Sequence, residues 1–205
     1  MKISTDKILT THVGSLPRSK AVTDGVFAKE NEQPYDVDNL AATIKSAVDE
    51  VVRKQVETGV DIVSDGEMSK ISYATYIKDR ITGFAGDSER NPPADLEEFP
   101  GFLARQASSG GTPSYKRPCC VGEIAVKDMQ PLEEDLANFN AAVQLHGAAE
   151  GFMNAASPGV IALFQPNKHY SNHSDYLQAL GDAMRAEYEA IVQIDANLPT
   201  INRAL

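Results

Sequence analysis

The sequence predicts an α/β fold of repeated strand–helix units around a parallel sheet, and three stretches near its start carry the expectation. Ile8, Leu9 and Val13 mark a short strand that Gly14-Ser15-Leu16-Pro17 breaks into a loop. Leu40, Ile44, Val48, Val51, Val52 and Val56 then recur at three- and four-residue spacing, an apolar stripe on a helix that Asp38 caps and Gly59 stops. Val60-Asp61-Ile62-Val63 follows as a second strand and runs into Ser64-Asp65-Gly66-Glu67. Strand, helix and strand in this order make a βαβ unit.

The pattern repeats with interruptions. A helix is expected around Tyr73 to Ile81, then an irregular excursion at about 86–116, rich in proline and glycine and longer than ordinary connections. Cys119 to Ile124 reads as a third strand, Leu132, Leu136, Phe139 and Val143 as the stripe of another helix, and Gly151 to Ala155 as a fourth strand. Leu177, Leu180, Met184, Tyr188 and Ile191 give the buried side of a helix over Asp175 to Val192, and Gln193-Ile194-Asp195 reads as a fifth strand. That last junction is irregular, because Glu189-Ala190-Ile191-Val192 runs into Gln193 with no glycine or turn to end the helix.

Composition narrows the functions. The chain has 205 residues, 42% of them hydrophobic, enough for one sizeable core. Its 19 basic and 29 acidic residues give a net charge of −10, which leaves no basic face for a phosphate backbone, so nucleic acid is not expected as a partner. The start of the chain has no apolar run after its lysines, and nothing approaches the roughly eighteen apolar residues of a membrane span, so a cytoplasmic protein is expected. Cys119 and Cys120 are adjacent, which excludes a disulfide framework and gives no C-x-x-C spacing for a metal.

In a parallel α/β fold the loops after the strands gather at one end, where reactive residues collect. Four polar clusters fall at such positions: His12 to Ser15, Asp65 to Glu67, Asn154 to Pro158, and Asp195 to Asn197. Thr10-Thr11-His12-Val13-Gly14-Ser15-Leu16-Pro17-Arg18, Val63-Ser64-Asp65-Gly66-Glu67, Pro158-Gly159-Val160 and Gln193-Ile194-Asp195 resemble, in order and separation, the successive signatures of cobalamin-independent methionine synthase catalytic domains, closest to the short single-domain branch. The resemblance extends to about Asp195 and includes Gly83-Phe84 and the strand Cys119 to Ile124.

It implies a (β/α)8 TIM-type barrel that is incomplete here, with about the first five strands in one partial domain over 1–205. It also implies methyl transfer from 5-methyltetrahydrofolate to the thiol of homocysteine, which the family binds to zinc as a thiolate. On the matched positions, His12, Val13, Gly14 and Ser15 would meet the amino acid, the last three at its carboxylate. Glu67 and Asp195 would meet its amino group, and Phe164, with Asn167 and Tyr170 nearby, would lie against the pterin.

The departures are as informative. The family's zinc ligands, a His-x-Cys pair, a glutamate and a second cysteine on later strands, have no counterpart after Asp195, so the chain is expected to be truncated and to hold no metal by itself. Where the family continues with an acidic residue and proline, this chain reads Ala196-Asn197-Leu198-Pro199. Two other readings stay open: a zinc barrel that alkylates another thiol such as coenzyme M, or a non-catalytic half-barrel that binds a small molecule or pairs as a homodimer through its open sheet edge.

Overall fold

The computed structural model describes residues 2–73, 75–88, 96–108 and 116–197, with 106–108 and 193–197 described by backbone alone. The helix α1 (Lys20–Glu30) starts at Ser19, whose hydroxyl accepts the N–H of Val22. The next, α2 (Val37–Glu57), starts at Asp36 rather than Asp38: the Asp36 carboxylate accepts the N–H of Asn39, and Asp38 sits in the first turn, where its charge suits the helix dipole. The apolar stripe buries Leu40, Val48, Val51 and Val52 as expected.

The parallel sheet is narrower than the sequence predicts. Thr11 bridges Ile62 in parallel, and β1 (Val63–Ser64) pairs in parallel with a strand at Gly151–Phe152, placing Val63 opposite Gly151. Between β1 and that strand lie a 3-10 turn at Tyr76–Asp79, where a longer helix was expected, then β2 (Phe84–Ala85), α3 (Pro100–Ser108), β3 (Cys119–Cys120) and α4 (Gln130–Leu145). The Gly151–Phe152 strand is β4, and α5 (Pro158–Phe164) and α6 (His173–Asn197) follow it. Three parallel strand positions, at Thr11, β1 and β4, are thus each followed by a long helix, α2, α4 and α6. These helices pack α2 on α4 and α4 on α6 over a core that includes Val52, Val63, Phe139, Met153 and Ile191.

Two strand expectations are corrected. Cys119 to Ile124 does not enter the parallel sheet, because β4 already occupies that edge of β1: Val63 donates its N–H to the Glu150 carbonyl. Instead β3 runs antiparallel to β2, with Phe84 opposite Cys120, and both N–H groups of Val121 and Gly122 reach the Gly83 carbonyl. Gly83 makes this approach possible at φ +90, since a Cβ there would stand 2.7 Å from the Gly122 carbonyl oxygen. The fifth strand is absent: Gln193 to Asp195 continue α6, as the missing stop signal before them allows. The expected excursion at 86–116 includes α3, and its stretches at 89–95 and 109–115 lie outside the described residues. Among the described residues the class is mixed α/β, with parallel pairing at Thr11, β1 and β4, a parallel bridge between Cys120 and Asn167 and a small antiparallel pair, where five barrel strands were expected. Among the described residues no helix is long and apolar enough to cross a membrane.

Gln55 joins α2 to the end of β1. Its amide nitrogen donates to the carbonyls of Ser64 (2.8 Å) and Val51 (3.0 Å), and its amide oxygen accepts the Ser64 N–H (2.9 Å). Both backbone groups of Ser64 are thereby satisfied by one buried side chain just before the chain turns at Asp65. Replacing Gln55 with Leu keeps the volume and strands both groups, so urea denaturation should show a loss of about 2–4 kcal/mol. Leu145→Ala, at a side chain 71% exposed, should stay within about 0.5 kcal/mol; equal effects would contradict the bridging role.

Candidate active site at the strand ends

Ser64-Asp65-Gly66-Glu67 leaves β1 through a tight turn. Gly66 and Glu67 both take left-handed backbone, at φ 61 and φ 57. Glycine adopts this freely; for glutamate it costs on the order of 1–2 kcal/mol. Several bonds hold it there. The Asp65 carboxylate accepts the N–H of Glu67 (3.0 Å), and the Arg18 guanidinium donates to the carbonyls of Glu67 (2.7 Å) and Lys70 (2.6 Å). Leu16 donates its N–H to the Gly66 carbonyl, so the loop after the first strand is laced to the turn after the second.

The turn aims the Glu67 carboxylate inward, where it is only 3% exposed. The Ser15 hydroxyl donates to one oxygen (2.6 Å) and the Asn154 amide to the other (2.8 Å). Ser15, Glu67 and Asn154 come from the ends of the three parallel strands, so the structure gathers these predicted positions around one carboxylate. His12 is half-buried with its Nε2 enclosed and without a hydrogen-bond partner among the described residues, whereas Val13 is 62% exposed. Gly14 takes φ +100 with open space where a Cβ would stand, so it serves backbone direction rather than room.

The other predicted residues lie elsewhere. Phe164, at the end of α5, is half-buried with the Arg117 guanidinium 5.2 Å over its ring. Asn167 organises a turn: its oxygen accepts the N–H groups of His169 and Tyr170, and its nitrogen donates to the Tyr170 carbonyl. The Tyr170 hydroxyl accepts the Ile124 N–H, tying that turn to the stretch after β3. Asp195 lies in the last turn of α6, and its side chain is outside the described residues.

Sequence reasoning missed the charged network beside the turn. Lys70, 2% exposed, places its ammonium 3.5 Å from the Asp65 carboxylate, 3.4 Å from the Asn154 carbonyl and 5.3 Å from the centre of the Tyr76 ring. Arg80 sits between Asp135 (2.5 Å) and Glu187 (3.0 Å), with its guanidinium over the same ring, 4.6 Å from its centre. The Tyr76 hydroxyl donates to Glu187 (2.5 Å) and accepts the Ala156 N–H (3.1 Å). Burial, then the Glu187 charge, push the Tyr76 phenol well above its ordinary pKa, and the same two causes push Tyr188 up to about 12. Burial works against the Arg80 charge, but Glu187 and Asp135 outweigh it and hold that pKa above the ordinary value. For Asp135 burial prevails over Arg80 and raises the carboxyl. The signal was present: Asp135 and Glu187 fall on the apolar stripes Leu132, Leu136, Phe139 and Leu180, Met184, Ile191, where a charge needs a buried partner.

A cleft of about 670 Å³ opens beside Lys70, between α1, α2 and the start of α4. Its charges are largely paired among themselves, Lys78 with Glu30, Lys29 with Asp79 and Arg80 with Asp135, and Glu67 is not one of its walls.

Residues 8–93 match the family model described as cobalamin-independent synthase, catalytic domain. The methionine synthase of Saccharolobus solfataricus is 24% identical over 193 residues, which cover 94% of this chain and 52% of that protein. The first half of the chain is thus similar to the catalytic domain of cobalamin-independent methionine synthases. A second methionine synthase, from Sulfolobus acidocaldarius, is 25% identical over 90% of the chain and 48% of its own length. The fold agrees: a B12-independent methionine synthase from Shewanella sp. W3-18-1, solved in complex with selenomethionine, superposes with a TM-score of 0.62 at 17% identity, over 87% of this chain and 46% of that one. A putative vitamin-B12 independent methionine synthase from Listeria monocytogenes gives 0.60 at 16% identity, over 91% and 50%. The chain spans about half the length of the proteins it matches.

The zinc that such a family implies does not fit the donors present. Among the described residues no three His, Cys, Asp or Glu side chains gather as a metal would require. Cys119 and Cys120 are buried free thiols, and Cys120, its pKa raised by burial, directs its thiol to the Gly122 carbonyl.

Tyr76→Phe tests the network behind the turn. It strips buried Glu187 of a charge-assisted donor and leaves the Ala156 N–H unpaired, so chemical denaturation should show a loss of about 2–4 kcal/mol. A change under about 0.5 kcal/mol would mean that Tyr76 merely fills space.

Proposed function

We propose that the strand-end turn holds the amino acid substrate of a methionine-synthase-type methyl transfer, with Glu67 meeting the ammonium group of homocysteine. Val13, Gly14 and Ser15 would then face its carboxylate through backbone N–H groups and the Ser15 hydroxyl, with His12 beside them. What supports the reading is the Glu67 carboxylate itself: buried, held in left-handed backbone by Arg18 and Asp65, and tied to side chains from two other strand ends. Backbone strain of this kind persists only where surrounding bonds over-determine it, and it concentrates at binding sites.

The reaction is a displacement. The bond from the folate N5 to its methyl carbon breaks as the homocysteine sulfur bonds to that carbon, and the proton lost by the thiol is balanced by one gained at the folate nitrogen. This chain's share is binding and orientation. Ser15 is solvent-exposed, so rotation of its hydroxyl uncovers one Glu67 oxygen for an incoming ammonium. Phe164 offers a half-buried ring face to a pterin, with Asn167 and Tyr170 next to it in sequence, and Asp195 is assigned a second contact to the amino group. Among the described residues no donor set assembles for zinc, and the chain's own side chains bind and orient. A thiol such as coenzyme M, which has a sulfonate and no ammonium, would place like charge against Glu67, and the turn therefore favours an amino acid thiol.

Calorimetry with L-homocysteine under reducing conditions tests this. Glu67→Gln keeps the size and most hydrogen bonding but removes the charge, and should weaken binding on the order of ten- to hundredfold with little change in melting temperature. Equal affinity in the two folded proteins would return Glu67 to a structural role.

A further inference from the structure

The Asn154 amide is half explained by the contacts around it. Its nitrogen donates to Glu67 Oε1 at 2.8 Å. A carboxylate only accepts hydrogen bonds, so it decides which end of the amide faces it: turned over, the amide oxygen would lie against Oε1 with no proton between them. The oxygen, Oδ1, is therefore directed away from Glu67. There it is enclosed, on a residue only 8% exposed, and it has no hydrogen-bond partner among the described residues. Lys70 directs its ammonium to the Asn154 main-chain carbonyl and to Asp65 instead. A buried amide oxygen with no donor is uncommon and costly, and it stands one side chain away from the carboxylate that the proposed function assigns to an ammonium.

We propose that Asn154 Oδ1 accepts one N–H of the ligand's ammonium, so that Glu67 supplies the opposite charge while Asn154, enclosed around Oδ1, fixes the direction of a second N–H and leaves no room for a substituent. The site then takes amino acids with a primary ammonium and discriminates against N-alkylated ones. This rests on the reading of Glu67 as the ammonium's partner. A primary ammonium carries three N–H groups. N-methylation leaves its charge, and so its attraction to Glu67, but removes one N–H and adds a methyl group where the structure is closed. The N-methylated ammonium keeps two N–H groups, but with Oδ1 enclosed the methyl has no place while both are directed at Glu67 and Asn154, so one hydrogen bond is lost.

The test is calorimetry of the whole chain with L-homocysteine and N-methyl-L-homocysteine, using wild type, N154A, N154S and E67Q. Wild type should prefer homocysteine by about tenfold or more, the scale of one hydrogen bond to a charged group. N154A should bind homocysteine about tenfold more weakly and hold the two ligands equally. E67Q should weaken both ligands and keep the preference. The preference is a ratio within one protein, so partial unfolding does not mimic its loss, and N154S supplies a second variant where alanine disturbs the fold. A preference kept in both Asn154 variants, equal binding of the two ligands by wild type, or no binding of homocysteine by wild type would each overturn the proposal. Lost preference in N154A with affinity unchanged in E67Q would support Asn154 and overturn the part given to Glu67.

Discussion

The end of the parallel sheet is organised by one carboxylate held where a glutamate backbone does not willingly go. Glu67 follows β1 in left-handed conformation, and its two oxygens receive Ser15, from the loop after Thr11, and Asn154, from the end of β4. Three chain segments far apart in sequence are thereby fixed to one another by hydrogen bonds to a single charged group. Bonds to an ionised acceptor are the stronger kind, which suits a joint that must also offset the backbone cost of its own turn. Upstream, Gln55 satisfies Ser64 from α2, so the strand is delivered to that turn with no backbone group stranded.

Behind the turn a second layer of charge is buried with its counter-charges: Lys70 near Asp65, and Arg80 between Asp135 and Glu187, with the Tyr76 ring beneath both cations. Buried ion pairs of this sort add little net stability compared with an apolar core, but breaking one partner away is expensive. What they contribute is geometry, because α4, α6 and the turn before β2 are held in one arrangement relative to the loop that carries Asn154. The Tyr76 hydroxyl makes the link explicit by joining Glu187 of α6 to the Ala156 N–H.

Much of the scaffold was legible in the sequence. The stripes of α2, α4 and α6 appear at the expected residues because three- and four-residue apolar spacing has one physical solution on a packed helix. The cap of α2 was read two residues late, since Asp36 and Asp38 are chemically equivalent candidates and only the backbone distinguishes them. The run Cys119 to Ile124 was placed in the wrong sheet, because a short apolar stretch says that a strand is buried and not which neighbour pairs with it. Gln193 to Asp195 was read as a strand although no glycine or turn separates it from the helix before it, and the helix runs on through it. Positions such as Ser15, Glu67 and Asn154 could be found from where strands end. The network of Arg80, Asp135 and Glu187 left only a partial signal, two acids on the apolar stripes of α4 and α6, with nothing in the sequence to say that Arg80 is their partner.

The account rests on an ammonium reaching the Glu67 carboxylate once the Ser15 hydroxyl turns away. A crystal structure of the chain with L-homocysteine bound addresses this most directly. It should show the ligand nitrogen within about 3 Å of a Glu67 oxygen, a charge-assisted hydrogen bond, with the Ser15 to Glu67 bond broken. A ligand seated elsewhere, for instance in the cleft between α1 and α2, with the Ser15 bond to Glu67 unchanged, would contradict it.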